Sequence, residues 1–333
     1  MSRVSVVQFA NAQGLTLSGI LHEPEPATAR GVCVLLLSPG IKGRVGPHRL
    51  YLKIAARLVP RGFHVFRFDY HGLGDSTGAL DEKQLPAMYN TIQNGRYVAD
   101  TRAGMDWMAQ THGITTFVGS GLCGGSISGL LTAAVDDRIR SMLCLGVPTA
   151  FEGAEEHWGR YLTRGQLDQL RAGYLQRLME PSSWIRFLSG KSSYDVIWKS
   201  FRRLFKADGP PKVAGAGAAP AAPAASAPVS ATGQASVASP PQDNTNPKFG
   251  PAFLAVLNSG RPALLVFSGG DRLGAEFQEK FAERHPRELA RVRDRYQMHT
   301  IEGANHVLSE NSWIDEFLDV SCRWLDAHHP ARR

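Results

Sequence analysis

FVGSGLCGGSISGLL, residues 117–131, reads as a strand that stops at a glycine-flanked cysteine and resumes as a helix. A strand-to-helix turn this sharp throws one side chain out at its tip and brings the positions two before and two after it so close that only small residues fit. Gly121 and Gly125 meet that demand around Cys123. Ser120 has Val118 two places before it and Ser126 has Ser128 two places after, so Cys123 is the best-registered nucleophile of the three. The helix that follows directs its positive end at the sulfur and favours negative charge there. Two rival readings are a buried structural cysteine and a phosphate-binding loop. The second lacks a following Lys-Ser or Lys-Thr pair and is rejected.

Outward from this turn, short runs rich in β-branched and aromatic residues recur at 4–9, 15–21, 32–37, 64–68, 116–118, 142–145, 263–267 and 297–301. The first two flank Asn11-Ala12-Gln13-Gly14 and read as a hairpin. The others alternate with helical stretches at 48–58, 97–110, 126–134, 276–283 and 309–325, the pattern of a mostly parallel, doubly wound α/β sheet. Residues 1–150 and 251–333 are the expected core.

Between them, 151–206 is the expected helical cap, with Leu167, Leu170, Tyr174 and Leu178 on one face and Tyr194, Ile197, Trp198, Phe201 and Phe205 on another. Residues 207–250, which include GAGAAPAAPAASAPVSATGQ, offer little to pack and are expected to be a disordered linker within the insertion. Sheets of this kind bind substrates at the carboxyl ends of their strands, so an insertion there would cover the site.

A base is expected late, after the last strand, where Gly303-Ala304-Asn305-His306 offers His306. An acid should lie between nucleophile and base in the chain, and Asp271 follows the strand-like Leu264–Phe267 run. A helix cap is the plainer role for Asp271, and Asp294 and Glu302 are weaker competitors for the acid. Backbone N–H groups of Gly124 and Ile41 are the expected oxyanion hole, with an ordinary Pro-Gly turn as the alternative for the Ser38–Gly43 loop. Asp69 and Asp75, in the DYHGLGDSTG turn at 69–78, are expected to hold loops.

Composition narrows the classes. With 43% hydrophobic and 20% charged residues the 333-residue chain can bury a sizeable core. The net charge of +7 comes with no zinc-ligand spacing and no RNA-binding signature, so no nucleic-acid partner, metal or cofactor is expected. Cys33, Cys123, Cys144 and Cys322 are too few and too scattered for a disulfide framework and fit a reducing compartment. The opening residues alternate like a strand and not like a signal peptide, and the longest apolar runs fall short of a membrane span, so a cytoplasmic location is expected. Lys199, Arg202, Arg203 and Lys206 beside the apolar Trp198–Phe205 face permit a weak peripheral membrane contact, though an ordinary amphipathic cap helix is favoured.

These segments resemble the α/β hydrolases, and within them the cysteine-type hydrolases associated with exosortase A systems in bacteria. PGIKGRVGPHRLYLKIAARLVPRGFHVFRFDYHGLGDSTG, 39–78, is similar to their oxyanion loop, helix and turn, GLCGG to their cysteine elbow, and FSGGDRL and GANHVLSE to their acid and base segments. Dienelactone hydrolase is similar in its cysteine elbow. The chain departs from the pattern at Gly124, where an Asp is expected, and in its Ala/Pro insertion. The resemblance covers the sheet from the first hairpin to the C-terminal helix and implies an α/β-hydrolase fold, to which the residue pattern of 151–206 adds the helical cap. The leading expectation is hydrolysis of an ester or thioester of a small-molecule or lipid-like acyl compound through an acyl-thioenzyme. Acyl transfer by the same triad is the runner-up, and a non-catalytic binding protein of this fold is the rival from another class.

Overall fold

The computed structural model describes residues 2–80, 82, 84–151 and 243–331. The expected cap and most of the expected linker therefore lie outside the described residues.

Eight strands form one sheet in the order β1-β2-β4-β3-β5-β6-β7-β8. They are β1 (Arg3–Ala10), β2 (Thr16–Glu23), β3 (Val32–Leu37), β4 (His64–Phe68), β5 (Thr116–Leu122), β6 (Ile139–Leu145), β7 (Ala263–Ser268) and β8 (Tyr296–Ile301). β2 runs antiparallel to both β1 and β4, and every later pairing is parallel. β3 shows why the centre of the sheet is apolar throughout. Its alternate residues Cys33, Leu35 and Leu37 enter one core and Val32, Val34 and Leu36 the other, so both faces are covered.

The first core lies under α3 (Val98–His112), α4 (Gly124–Val135) and α5 (Phe249–Asn258). The second lies under α1 (Leu50–Leu58) and the C-terminal α8 (Asn311–His328). Between these fall α2 (Leu85–Gln93), α6 (Leu273–Lys280) and the short α7 (Pro286–Ala290). α2, α5 and α7 were not expected. α1 begins two residues later than read, because His48 and Arg49 take left-handed φ values of 48° and 58°.

The expected linker ran to 250, but its last eight residues, 243–250, belong to the core. Phe151 N–H donates to Asn244 O at 2.8 Å, Asn246 N–H donates to Thr149 O at 2.9 Å, and Ala150 bridges Thr245. Asn246, 1% exposed, donates its Nδ2 to Gln93 O at 2.9 Å, and Phe249 opens α5 in the interior. The polar run Asp-Asn-Thr-Asn resembles a linker in composition, yet its side chains close turns onto their own backbone, as at Lys248 N–H to Asn246 Oδ1. Asn246→Ala removes both bonds from a buried position and should cost about 1–3 kcal/mol, read as a lowered Tm; an unchanged Tm would return this segment to the linker.

Candidate active site

Backbone geometry at the elbow follows from its residues. Cys123 sits at φ 51° and ψ −111°, a conformation that a non-glycine residue holds only when its surroundings enforce it. Cys123 N–H donates to Leu145 O at 2.9 Å, which fastens the turn to the end of β6. The glycines are required more by β3 than by each other. A Cβ on Gly125 would stand 2.1 Å from Leu37 O, and one on Gly121 would stand 2.8 Å from both Leu37 O and the Gly125 carbonyl carbon. Gly124 lies under Pro39, whose carbonyl oxygen would be 3.1 Å from an added Cβ, and as the first residue of α4 its N–H has no acceptor within the helix.

The rival serines are committed elsewhere. Ser126 is fully buried and donates to Gly121 O, with Leu145 O at 3.2 Å, and Ser120 is buried as well. Cys123 alone of the four cysteines is not buried.

His306 and Asp271 come together at the carboxyl ends of β8 and β7. His306 Nδ1 and Asp271 Oδ2 are 2.5 Å apart. Their loops are zipped by backbone bonds, Gly269 N–H to Ile301 O and Gly270 N–H to Ala304 O, each 2.8 Å. Asp271 Oδ1 also accepts Arg272 N–H at 2.7 Å, so the carboxylate is oriented at both oxygens. Its place ahead of α6 thus carries a bond to the histidine beyond any capping role. Burial pulls the His306 pKa down, but hydrogen bonds to Asp271 and Cys123, and the charges on both, outweigh it and push it up to about 10.

A cavity of about 330 Å3 opens over these residues, walled by Cys123, Gly124, Asp271 and His306 together with apolar Leu122, Pro148 and Leu273. Lys42 adds positive charge to the same wall, and Arg272 there is paired with Glu276 at 3.5 Å. Ile41, the expected second oxyanion donor, belongs to the adjoining loop; its side chain is 47% exposed and does not line the cavity, where its neighbours Pro39 and Lys42 do. Asp69 holds loops as expected. It accepts Arg44 N–H at 2.6 Å, pairs with the Arg44 guanidinium, and accepts Asp75 N–H at 3.3 Å.

Sequence reading missed Gln93 and Tyr89, which bring α2 to the cavity wall. Gln93 is buried with an Oε1 that has no hydrogen-bond partner. Only the weak helical pattern of 85–93 signalled it.

Residues 34–320 match the model of the alpha/beta hydrolase family, and the chain belongs to that family. Among solved structures it is similar to a serine hydrolase without a lid from Xanthomonas campestris, at 12% identity and TM-score 0.52 over 99% of this chain and 97% of that one. An esterase of Pyrococcus furiosus matches at 14% identity and TM-score 0.53, over 98% and 91%. A dienelactone hydrolase of Anabaena variabilis matches at 12% identity and TM-score 0.53, over 99% of both chains. No curated protein matches the chain.

Gly125→Ala forces a methyl group into the Leu37 carbonyl, which nothing flexible can relieve. The variant should lose the elbow and fall in Tm by more than Asn246→Ala; equal stability to wild type in thermal melts would contradict the close approach. A second expectation concerns pH. The folded pKa of His306 lies above its ordinary 6.5, so the stabilisation it gives is full below about pH 6.5 and is lost as pH rises through about 10. The side chain is 39% exposed, so solvent screening keeps the effect modest. The Tm advantage of wild type over His306→Gln should shrink across that window, and an advantage that grows with pH would contradict the assignment.

Proposed function

We propose that the protein is a cysteine-dependent acyl hydrolase acting on an ester or thioester of a small-molecule or lipid-like acyl compound, with Cys123 as nucleophile, His306 as acid and base, and Asp271 as the group that orients the imidazole. The observation that carries the proposal is the strained Cys123 at the tip of the elbow, sharing one cavity wall with a histidine that is itself bonded to a half-buried carboxylate. The engagement of Ser126 and the burial of Ser120 support cysteine over serine, although the similar Xanthomonas structure is described as a serine hydrolase. The esterase and dienelactone hydrolase neighbours agree with the reaction class.

The Cys123 thiolate attacks the acyl carbonyl carbon, forming a C–S bond as the carbonyl electron pair moves onto oxygen. Gly124 N–H, free of the helix ladder, and Ile41 N–H receive that oxyanion. The oxyanion collapses, the bond to the alcohol or thiol breaks, and the His306 imidazolium gives its proton to the leaving group. Water, deprotonated by His306, then attacks the acyl-thioenzyme and releases the acid and the thiolate. The apolar walls suit an acyl chain, and Lys42 suits an anionic portion of the donor. The similarity of the elbow, acid and base segments to exosortase-associated cysteine hydrolases supports the same reading.

Exposure to short and medium acyl thioesters, followed by intact-mass measurement, should add one acyl group to wild type and none to Cys123→Ala. Turnover should fall by at least about 10³-fold in Cys123→Ala and in His306→Ala. Undiminished turnover in Cys123→Ala would sink the cysteine assignment.

A further inference from the structure

Tyr51, on the first turn of α1, takes no part in the chemistry just described, yet it touches both the loop after β3 and the strand that leads into Cys123. Its O–H donates to Leu37 O at 2.6 Å and accepts Leu122 N–H at 2.9 Å. Leu37 is the last residue of β3, after which the 38–49 loop carries Ile41, and Leu122 is the last residue before Cys123. The parallel pairing of β3 with β5 ends at Leu37 and Gly121, so the hydroxyl supplies the next rung where the two strands part. The far end of the same loop rests on the ring. A Cβ on Gly46, at φ 68°, would stand 3.1 Å from Tyr51 Cδ1. The side chain is 1% exposed, so no water competes for these bonds.

We propose that Tyr51 is a positioning residue that sets the oxyanion loop against the nucleophile elbow, holding the loop by its first carbonyl and its last turn while it holds the residue before Cys123. The proposal rests on the reading of Cys123 as the nucleophile of an acyl hydrolase. The Leu37 carbonyl it grips is the one pressed against Gly125, so a shift there moves both the loop and the start of α4, which supply the two oxyanion donors. Burial raises the Tyr51 pKa, the Leu122 bond lowers it in part, and charge at Cys123 raises it again, so the hydroxyl keeps the proton it donates.

Tyr51→Phe keeps the ring and deletes only the hydroxyl. Two reactions of the same folded sample separate positioning from general support. Alkylation of Cys123 by iodoacetamide displaces iodide and develops no oxyanion; acylation by a thioester does. The other three cysteines are buried, which keeps the mass readout on Cys123. Expected is an acylation rate, and a kcat, lowered roughly ten- to a hundredfold with KM little changed, while the alkylation rate stays within about twofold. A rate of acylation equal to wild type overturns the proposal, and so does a proportional fall in both reactions, which would mark Tyr51 as a support of the nucleophile alone. Thermal melts of the variant confirm that both rates come from folded protein. Cys123→Ala, run alongside, isolates the underlying reading: if it turns over thioester like wild type, the nucleophile is misassigned and the proposal falls with it.

Discussion

The carbonyl oxygen of Leu37 is the point on which the site depends. It ends β3, presses against the glycines of the elbow, and accepts the Tyr51 hydroxyl. A backbone atom cannot move aside as a side chain can, so residues 121 and 125 have no room for a Cβ, and the chain between them must turn within one residue. The strain falls on Cys123, which takes an unfavourable φ because its neighbours on both sides are fixed. The same strain that costs stability turns the side chain out of the sheet and leaves Gly124 N–H without a helical acceptor.

The second half of the site is built differently. Asp271 and His306 come from loops that leave adjacent parallel strands, and these are joined by the two 2.8 Å backbone bonds from Gly269 and Gly270. Their distance is therefore set by the sheet and not by the side chains. The two halves meet because β6, between them in the sheet, ends at the same level. Leu145 accepts Cys123 N–H, and Gly146 N–H donates to Val266 O at 2.8 Å. Gly146 takes the left-handed φ of 57° that favours glycine, and an added Cβ there would press on Leu273 Cδ1 at 3.3 Å.

All eight strands were legible, because the central ones are buried on both faces and read as unbroken apolar runs. β5 was read three residues long and spans seven, since Gly119, Ser120 and Gly121 have no strand propensity of their own and are held by pairing with β3 and β6. That Cys123, His306 and Asp271 meet around one cavity was legible from spacing and chain order, which reflect topology. Asp243–Gly250 was not, because its polar turn formers have the composition of a linker while their bonds reach Thr149, Phe151 and Gln93, far away in sequence. Tyr51 was hidden for a related reason. Within α1 it is one more apolar position on the buried face, and only its hydroxyl, ending between two strands, sets it apart from Leu50 or Ile54.

The protonation of His306 bears on the choice between cysteine and serine. A serine needs a neutral imidazole to remove its proton during attack, whereas the His306 ring here is pushed toward its charged form by Asp271 and by Cys123 itself. Under the proposed mechanism a cysteine attacks as thiolate, which leaves the imidazolium to serve in the next step, as the acid for the leaving group. The Asp271 bond and the sulfur both favour that charged form, against the pull of burial. Replacing sulfur by a hydroxyl would remove part of what keeps the ring charged without restoring a geometry tuned for base catalysis. Cys123→Ser should accordingly retain the fold and fall in acylation rate by more than a hundredfold, while a serine variant as fast as wild type would show that the imidazole is neutral when the substrate arrives.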